Sequence, residues 1–332
     1  MFMKEILVVG GAGYIGSHMC KYLHQNGIKP IVLDNLSYGH RQAVLWGPFY
    51  EGEMADTTLL KKIFANHKIE AVMHFAAFAY VGESVQEPLK YYKNNISATL
   101  DLLTEMVEHN IFKFIFSSTC ATYGEPEQLP LVEDCPQNPI NPYGRSKLMM
   151  EQILGDLDHA SGMKSVCLRY FNAAGADPDG EIGEDHDPET HLIPLVLQTA
   201  LGQRDELKIF GSDYPTADGT CIRDYIHIQD LAQAHHLSLL HLLEGGESKK
   251  YNLGNGNGYS ILDVIQTAET VTNKKIPYSY APRRPGDPAA LVGSAALITK
   301  ELNWKPEFNS LESILTTAWD WHVNHPKGFQ ED

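Results

Sequence analysis

Cysteine is scarce in this sequence, and no two cysteines stand at the spacing of a redox or zinc site. The 332 residues include five cysteines, which are odd in number, widely spaced and without a Cys-x-x-Cys pair: Cys20, Cys120, Cys135, Cys167 and Cys221. This distribution argues against a disulfide framework and against a structural zinc site. It favours a protein of the reducing cytoplasm.

Basic residues and long apolar runs are also in short supply. Lysine and arginine number 26 against 42 acidic residues, the formal net charge is -16, and no basic run is dense enough to follow a nucleic acid backbone. No uninterrupted apolar run approaches the roughly 18 residues of a membrane span, and the first one, at 6–9, is too short for a signal-peptide core. We therefore expect neither nucleic acid nor a membrane as a partner.

The sequence does contain short apolar runs that alternate with longer segments of helical period, which is typical of βαβ units and a parallel sheet. The pattern predicts an α/β fold with a doubly wound parallel sheet of the Rossmann type. The predicted strands lie at 5–9, 30–33, 71–75, 113–117 and 165–170, and the predicted helices at 14–26, 57–67, 88–109 and 142–161.

The composition and periodicity of the sequence change after Asn172. Residues 173–190 are rich in Gly, Pro, Asp and Glu and show no period, which predicts a long functional loop. Beyond it we expect helices at 192–202, 228–244 and 310–325 and a strand at 208–211. We predict a first domain of residues 1–177, with a returning segment near 222–245, and a smaller interleaved C-terminal domain of residues 178–332.

The first predicted strand runs into a glycine-rich turn and then a helix. The turn is Gly10-Gly-Ala-Gly13-Tyr-Ile-Gly16, and Asp34 follows at the end of the second strand, 18 residues past Gly16. Glycines at these positions let the backbone approach a pyrophosphate, and the carboxylate is placed to bond ribose hydroxyls. Because a carboxylate repels the extra phosphate of NADP, the pattern predicts NAD. The alternative is a plain turn in which Asp34 caps a loop.

A tyrosine and a lysine stand four residues apart in Asn141-Pro-Tyr143-Gly-Arg-Ser-Lys147, on one face of the helix that begins near Pro142. The Lys147 cation and a cationic nicotinamide ring would both favour the Tyr143 phenolate, which predicts a general base. Hydroxyls at 117–119 follow the fourth strand and could share a proton with it. Alone, the pair also fits an ordinary helix surface; the cofactor motif tips the balance toward catalysis.

Further motifs extend the pattern over nearly the whole chain. They are Asp34-Asn-Leu, Phe75-Ala-Ala, Val81-Gly-Glu-Ser, Tyr91-Tyr-Lys-Asn-Asn, Ser117-Ser-Thr, Arg169-Tyr-Phe-Asn, Asp218-Gly-Thr, Arg223-Asp-Tyr-Ile-His and Arg283-Arg-Pro-Gly-Asp. With these motifs the sequence resembles the extended short-chain dehydrogenase/reductase family, and within it the epimerases of nucleotide sugars. The resemblance implies a reversible epimerisation of UDP-glucose and UDP-galactose at C4, by transient hydride transfer to bound NAD through a 4-keto sugar.

The resemblance also implies roles for individual residues. Tyr143 would remove the proton of the sugar 4-hydroxyl, Lys147 would hold the cofactor ribose, and Thr119 would bond the 4-oxygen. The implied cofactor residues are Gly10, Gly13, Tyr14, Ile15, Gly16, Asp34, Asn35, Glu53, Met54, Phe75, Ala76, Ala77, Asn94, Ser117, Tyr143, Lys147 and Tyr170. The implied residues of the UDP-sugar domain are Thr119, Asn172, His191, Leu192, Phe210, Arg223, Arg284, Asp287 and Leu291.

Alternatives to this function remain open at the level of sequence. A 4,6-dehydratase needs an Asp-Glu pair directly after the hydroxyl residue, where this sequence has Cys120-Ala121. Epimerases of UDP-N-acetylhexosamine, UDP-glucuronate or UDP-pentose share most of the motifs. The resemblance implies that Leu291 lines the sugar pocket, and its intermediate bulk predicts UDP-glucose as the main substrate and weak or no turnover of N-acetyl sugars. From another class, a silent NAD(H) sensor would usually lack the catalytic Tyr or Lys.

Two last expectations concern metals and partners. His227 and the pair His235 and His236 lack a third ligand at zinc spacing, so we expect no metal. The helices at 88–109 and 142–161 carry apolar residues beyond one face, and in the family such helices pair across a two-fold axis. The resemblance therefore implies a homodimer.

Overall fold

The computed structural model describes residues 3–284 and 287–329. The strands are β1 (Glu5–Val9), β2 (Lys29–Asp34), β3 (Phe49–Glu51), β4 (Ile69–His74), β5 (Lys113–Thr119), β6 (Lys164–Tyr170), β7 (Asn172–Ala174), β8 (Leu207–Phe210), β9 (Ile222–Arg223), β10 (Tyr225–His227), β11 (Lys249–Leu253), β12 (Tyr259–Ser260), β13 (Tyr278–Ala281) and β14 (Ala290–Leu291). Two residues of the Arg283 motif, Pro285 and Gly286, lie outside the described residues.

The α-helices are α1 (Tyr14–Gln25), α2 (Thr57–Asn66), α3 (Val81–Gln86), α4 (Pro88–Tyr92), α5 (Thr99–Glu108), α6 (Pro142–Ser161), α7 (Leu192–Ala200), α8 (Ile228–Leu243), α9 (Ile261–Thr272), α10 (Ala296–Leu302) and α11 (Leu311–Asn324). A π-helical segment, Lys93–Ala98, joins α4 to α5, so the helix predicted at 88–109 is one rod with an irregular middle. None of the helices in the described ranges has the length and apolarity needed to cross a membrane.

Seven strands form the central sheet of the described chain, in the order β11-β6-β5-β4-β1-β2-β3. Every neighbouring pair in it is parallel. The doubly wound parallel sheet predicted from the sequence is therefore confirmed. The two strands missing from the prediction, β3 and β11, are its edges. A strand of three residues and a strand that begins with Lys249 and Lys250 carry little of the apolar run that marks a central strand.

Helices cover both faces of this sheet and account for its apolar runs. On one face, α1, α8 and α10 pack against alternate residues of the strands in a core that includes Met19, Leu231 and Ile298. On the other face α2, α5 and α6 supply Leu60, Leu102, Met150 and their neighbours. The strands need apolar residues on both faces because each face is buried by helices.

A further core lies beyond the loop that leaves β7. Helices α7, α9 and α11 pack together with β8, around residues such as Val196, Val264 and Ile314. The sequence analysis missed α9, whose β-branched residues have weak helix propensity, although Ser260 and Asp263 form a reciprocal cap at its start. The helix α8 packs beside α1 on one face of the central sheet, and β11 pairs with β6 at the edge of that sheet. Both elements therefore belong to the layers of the central sheet although they follow β8 in the chain. The boundary between the domains stays a prediction.

The order of the strands locates the functional edge of the sheet. The chain leaves β1 toward β2 on one side, whereas β4 lies on the other side of β1. Open α/β sheets bind ligands in the crevice that such a reversal creates at the carboxyl ends of the strands. Gly10, Phe75 and Thr119 all lie at this edge, at the ends of β1, β4 and β5.

Candidate active site

The glycine-rich turn after β1 is held by close packing of backbone on backbone. Gly10 has a φ of +82°, and a Cβ built on it would lie 2.5 Å from the amide nitrogen of Ala76. A Cβ on Gly16 would collide with the carbonyl oxygen of Gly10. Both positions require glycine, the first for its backbone angle and the second for the approach of helix to strand.

The start of α1 offers an anion cradle. Gly13 is the N-cap and supplies no side-chain cap, so the backbone N–H groups of Tyr14, Ile15 and Gly16 face outward with no acidic residue in the first turn. Such a helix end carries partial positive charge and unpaired donors. This is the donor set that a pyrophosphate requires, which satisfies the first condition for a dinucleotide.

Asp34 connects the second strand to this turn. Its carboxylate is buried and accepts hydrogen bonds from Ala12 N at 2.9 Å and from Leu36 N at 2.8 Å. Burial raises its pKa, and the backbone donors partly offset that rise. The carboxylate thus fixes the glycine turn and retains further lone pairs for ribose hydroxyls.

Asn35 and Glu53 meet just beyond Asp34, at the exposed end of β2. The Asn35 amide donates to both carboxylate oxygens of Glu53, at 3.0 and 3.1 Å, and Met54 is buried behind them. An amide and a carboxylate side by side can recognise the donor and acceptor edge of a base. The residues present therefore fit NAD from the pyrophosphate to the adenine.

The segment after β4 is tied to the end of β1. The backbone N–H groups of Phe75 and Ala76 donate to the Val9 carbonyl oxygen at 2.8 and 3.1 Å, and Ala77 follows half-buried. The amide of Asn94 donates to the side-chain oxygen of Asn95 at 3.0 Å. These contacts place four of the predicted cofactor residues on one wall of the crevice.

Asn95 is a positioning residue that the sequence analysis missed. It is buried in the π-helical segment, where its side chain accepts from Phe78 N and donates to Phe78 O, both at 3.0 Å, and to Ser146 Oγ at 3.2 Å. It thereby joins the wall after β4 to α6. Two adjacent asparagines inside a predicted helix were the available signal, because asparagine is a poor helix former.

The helix that carries the candidate catalytic pair starts with a well-formed cap. Asn141 accepts a hydrogen bond from Gly144 N at 2.8 Å, and Pro142 occupies the first helical position. Tyr143 therefore lies in the first turn of α6 and Lys147 in the second. Both face the carboxyl end of β5, where Ser117 and Thr119 are buried.

Lys147 is buried and held by the backbone of β5. Its ammonium donates to the Ser117 carbonyl oxygen at 2.7 Å and lies 4.8 Å from the centroid of the Phe116 ring. Burial lowers the pKa of Lys147 to about 7. The hydroxyls of Ser117 and Tyr170 bond to each other beside it. Three of the predicted cofactor residues thus meet at one point.

Burial has the largest effect on the pKa of the Tyr143 phenol. Burial raises its pKa above the ordinary value, Tyr170 adds to that rise, and the Thr119 hydroxyl only partly opposes it. Burial also lowers the pKa of Lys147, so the protein's own groups favour the protonated phenol. The positive charge needed to form a phenolate must come from a bound group.

Two arginine side chains lie beside the core that α7, α9 and α11 form with β8, which we call the second core. Arg223 forms an ion pair with Asp287 and donates to the carbonyl oxygens of Ile222 and Pro288 at 2.8 and 3.0 Å. Its side chain is only 12% exposed, so this is not a surface pair. The Arg284 guanidinium lies 4.0 Å from the centroid of the Phe210 ring. Two guanidinium groups beside an aromatic face suit a diphosphate joined to a base.

The other predicted substrate residues border these arginines or the catalytic helix. Asn172 donates through its side chain to the Asp224 carbonyl oxygen at 2.8 Å, which ties β7 to the strand of Arg223. Leu291 lies opposite Arg223 in the pairing of β14 with β9 and packs against Cys120, Tyr123 and Phe171. Leu291 therefore stands next to the residue that follows Thr119.

His191 and Leu192 begin α7, and His191 belongs to a cluster that the sequence analysis overlooked. Its Nδ1 lies 3.0 Å from Glu184 and 3.1 Å from Glu189, and His186 joins the same carboxylates. Burial disfavours both imidazolium forms, but the carboxylates outweigh it and raise the pKa of His186 to about 9 and of His191 to about 10. The spacing Glu-x-His-x-x-Glu-x-His was the missed signal.

The chain is similar over nearly its whole length to known proteins of one family. Residues 6–254 match the model of the NAD dependent epimerase/dehydratase family. A UDP-glucose 4-epimerase of Halalkalibacterium halodurans is 53% identical over 327 residues, 98% of each chain. The crystal structure of UDP-glucose 4-epimerase from Brucella ovis in complex with NAD has a TM-score of 0.93 at 50% identity, over 95% of this chain and 97% of that one. The enzyme from Bifidobacterium longum in complex with NAD+ and UDP has a TM-score of 0.94 at 40% identity, over 98% and 100%.

Proposed function

The chain belongs to the NAD dependent epimerase/dehydratase family, and on that premise we propose that it interconverts UDP-glucose and UDP-galactose by inverting C4, with NAD as its cofactor. The observation that carries the proposal is the meeting of Tyr143 and Thr119 with the glycine cradle at one edge of the sheet. A phenol and a hydroxyl that share a proton can act on a sugar alcohol.

The proton chemistry belongs to Tyr143 and Thr119. Tyr143 accepts the proton of the 4-hydroxyl as the C4 hydrogen leaves, and it returns a proton to the 4-oxygen when the hydrogen comes back. Thr119 holds that oxygen through its hydroxyl in both directions. When bound, NAD supplies the reversible acceptor for the C4 hydrogen and the positive charge that favours the Tyr143 phenolate.

Lys147 orients the cofactor end of the site. Its Nζ is fixed on the Ser117 carbonyl oxygen, so it presents its remaining donors to ribose hydroxyls at the same edge. A pKa of about 7 lets the group exist in both charge states near neutral pH. Lys147 is therefore a binding group for the cofactor ribose, held in place by the backbone of β5.

The second core holds the nucleotide end of the substrate. Arg223 and Arg284 bind the diphosphate, Asp287 orients Arg223 through their ion pair, and Phe210 packs beside the uracil. Asn172, His191 and Leu192 complete the substrate-binding surface between the central sheet and the second core. Anchoring the diphosphate alone leaves the sugar ring free to turn and present either face to the cofactor.

The purified chain should convert UDP-galactose to UDP-glucose without added NAD or any other co-substrate. An inversion at C4 needs no net oxidant, because the cofactor regains its starting state in each cycle. Proton NMR of the C4 position measures both sugars directly, with boiled protein as the control. Failure to form UDP-glucose even after NAD is added would contradict the proposal.

Leu291 should limit the site to sugars without an N-acetyl group. Its side chain packs beside Cys120 and Tyr123, so extra bulk on the sugar would meet it. We expect UDP-galactose to turn over faster than UDP-N-acetylgalactosamine, and Leu291→Ala to shift the kcat/KM ratio toward the N-acetyl sugar by about 10-fold. Val292→Ala, the neighbouring position, is the matched control. Faster N-acetyl turnover by the unaltered chain would overturn this assignment.

A homodimer in the cytoplasm completes the proposal. Four large apolar side chains on or beside α3 to α6 are exposed, at 62% for Val85, 73% for Leu89, 39% for Leu100 and 41% for Met149. Exposed apolar residues grouped on neighbouring helices suit a partner surface. Sedimentation equilibrium tests the dimer, and a mass of 37.0 kDa at all concentrations would exclude it. The five unpaired cysteines favour a reducing compartment.

A further inference from the structure

Four potential metal ligands converge on the loop between β7 and α7. They are Glu184, His186, Glu189 and His191, which we call the loop cluster, and one ligand atom of each lies within 4.8 Å of all the others. The side chains of Glu184 and Glu189 are each 5% exposed. Buried carboxylates need partners, and two imidazoles supply them here.

The separations between imidazole and carboxylate in the loop cluster are close to those of a tetrahedral ion site. His186 Nδ1 lies 3.3 Å from Glu184 and 3.5 Å from Glu189, and His191 Nδ1 lies 3.0 and 3.1 Å from the same two residues. Four nitrogen and oxygen ligands at ordinary zinc distances in a tetrahedron would stand about 3.3 Å apart. The four imidazole–carboxylate separations scatter around that value, with Glu189 facing His186 through Oε2 and His191 through Oε1, so one of its oxygens would turn onto the ion.

His186 provides an independent sign that a ligand is intended. Its Nδ1 is shielded from solvent and makes no hydrogen bond within the described residues, although two carboxylates lie close to it. A buried ring nitrogen near two acceptors would normally donate to one of them. This nitrogen lies between both carboxylates, and loss of its proton on metal binding would make it a ligand there.

A second group of carboxylates in the same loop already binds a cation of the protein. Asp177, Asp179 and Glu181 also approach one another, but all three contact the Lys21 ammonium at 2.6 to 2.7 Å. That group already holds a cation from the protein. The described residues place no lysine or arginine in ion-pair contact with the loop cluster, whose positive partners are imidazoles, and imidazoles can bind a metal instead.

We propose that the loop cluster binds one divalent first-row transition metal ion, for which Zn²⁺ is the best fit, through two imidazole nitrogens and two carboxylate oxygens. The charge is balanced, because two carboxylates and one divalent ion sum to zero. Four protein ligands and no open position are typical of a structural ion, and nitrogen with oxygen ligands suits Zn²⁺, Co²⁺ or Ni²⁺.

The ion would fasten the loop to both sides of the crevice. The His186 ring meets Tyr14 edge to face at 6.2 Å between centroids, and the His191 ring lies 6.4 Å from Tyr80. Tyr14 is the first residue of α1, and Tyr80 directly precedes α3 in the segment after β4. The metal would therefore act as a positioning group for the loop, away from the proton transfer at Tyr143.

The experiment measures metal binding directly, so its result does not depend on the proposed epimerase activity. Untagged protein is stripped with a chelator and titrated with Zn²⁺ by calorimetry and with Co²⁺ by visible absorption. We expect one equivalent of each ion and the intense bands of tetrahedral Co²⁺. Since loss of an outer partner alone costs about 10- to 100-fold in affinity, replacing a ligand in His186→Gln should weaken Zn²⁺ binding by about 100-fold or more.

Two further variants guard the interpretation. Glu189→Gln should weaken Zn²⁺ as His186→Gln does, and Asp179→Asn, an exposed change in the same loop, should bind Zn²⁺ like the unaltered chain. Circular dichroism checks that each variant is folded. The proposal is overturned if the unaltered chain binds neither ion stoichiometrically, if Co²⁺ gives only octahedral bands, or if folded His186→Gln and Glu189→Gln chains bind Zn²⁺ as tightly as Asp179→Asn.

Discussion

Tyr143→Phe is expected to lower kcat for UDP-galactose by about 100- to 10,000-fold, the usual contribution of a positioned general base. The substitution removes one oxygen atom and leaves the ring in the first turn of α6, so the crevice keeps its shape. NAD affinity, measured by fluorescence titration or calorimetry, should stay close to that of the unaltered chain. Initial rates at saturating UDP-galactose give the change in kcat.

The control for this variant is Tyr22→Phe. Tyr22 lies on α1, far along the helix from the cradle, and its ring packs beside His236. Tyr22→Phe removes a hydroxyl group and should leave kcat unchanged. A Tyr143→Phe chain that keeps turnover within a factor of about 10 while binding NAD would remove the phenol from the mechanism.

Glu151→Gln is expected to lower the free energy of unfolding by about 3–5 kcal/mol, because it leaves a buried guanidinium without its countercharge. Glu151 on α6 and Arg169 on β6 are 0% and 2% exposed and bond at 2.6 Å, with a further bond from Arg169 Nε at 2.9 Å. Ser118 donates to the same carboxylate at 2.6 Å. Urea denaturation followed by circular dichroism measures the change.

The sign of the pH dependence follows from the same pair. Burial acts to raise the pKa of Glu151, but bonds from Arg169 and Ser118 outweigh it and hold the pKa below the ordinary 4.5. A carboxyl with a lowered folded-state pKa stabilises the fold above its unfolded pKa, and that stability is lost as pH falls through the folded value. The deficit of Glu151→Gln should therefore be full at pH 7 and shrink in acid.

Two comparisons make this prediction decisive. Lys275→Met breaks a pair whose lysine is 92% exposed and should cost less than about 1 kcal/mol. Glu151→Gln combined with Arg169→Met removes both charges and should recover most of the lost stability. If Glu151→Gln is no worse than Lys275→Met, the buried pair does not hold α6 on the sheet.

The parts of this molecule that were predictable from sequence are those whose cause is local. The turn from Gly10 to Gly16 and the start of α6 at Pro142 each depend on residues adjacent in the chain, so their patterns are visible in one short window. The edge strands β3 and β11 depend on pairing with β2 and β6, and their own residues carry little signal.

The pKa values of the site residues could not be predicted from the sequence, and the reason is physical. The spacing of four positions from Tyr143 to Lys147 predicts proximity along α6, but the pKa of each side chain depends on how deeply the fold buries it. Burial raises the pKa of the phenol and lowers that of the ammonium, an effect that the spacing along the chain does not show. The Glu151 and Arg169 pair, 18 residues apart, likewise became visible only when α6 packed on β6.

The most direct measurement uses UDP-galactose that carries deuterium at C4, in ordinary water. If Tyr143 exchanges only the hydroxyl proton while the C4 hydrogen passes to the cofactor and back within the closed cycle, the UDP-glucose formed keeps its deuterium at C4. Replacement of that deuterium by solvent hydrogen, seen by mass spectrometry or as a new C4 proton signal, would contradict the account.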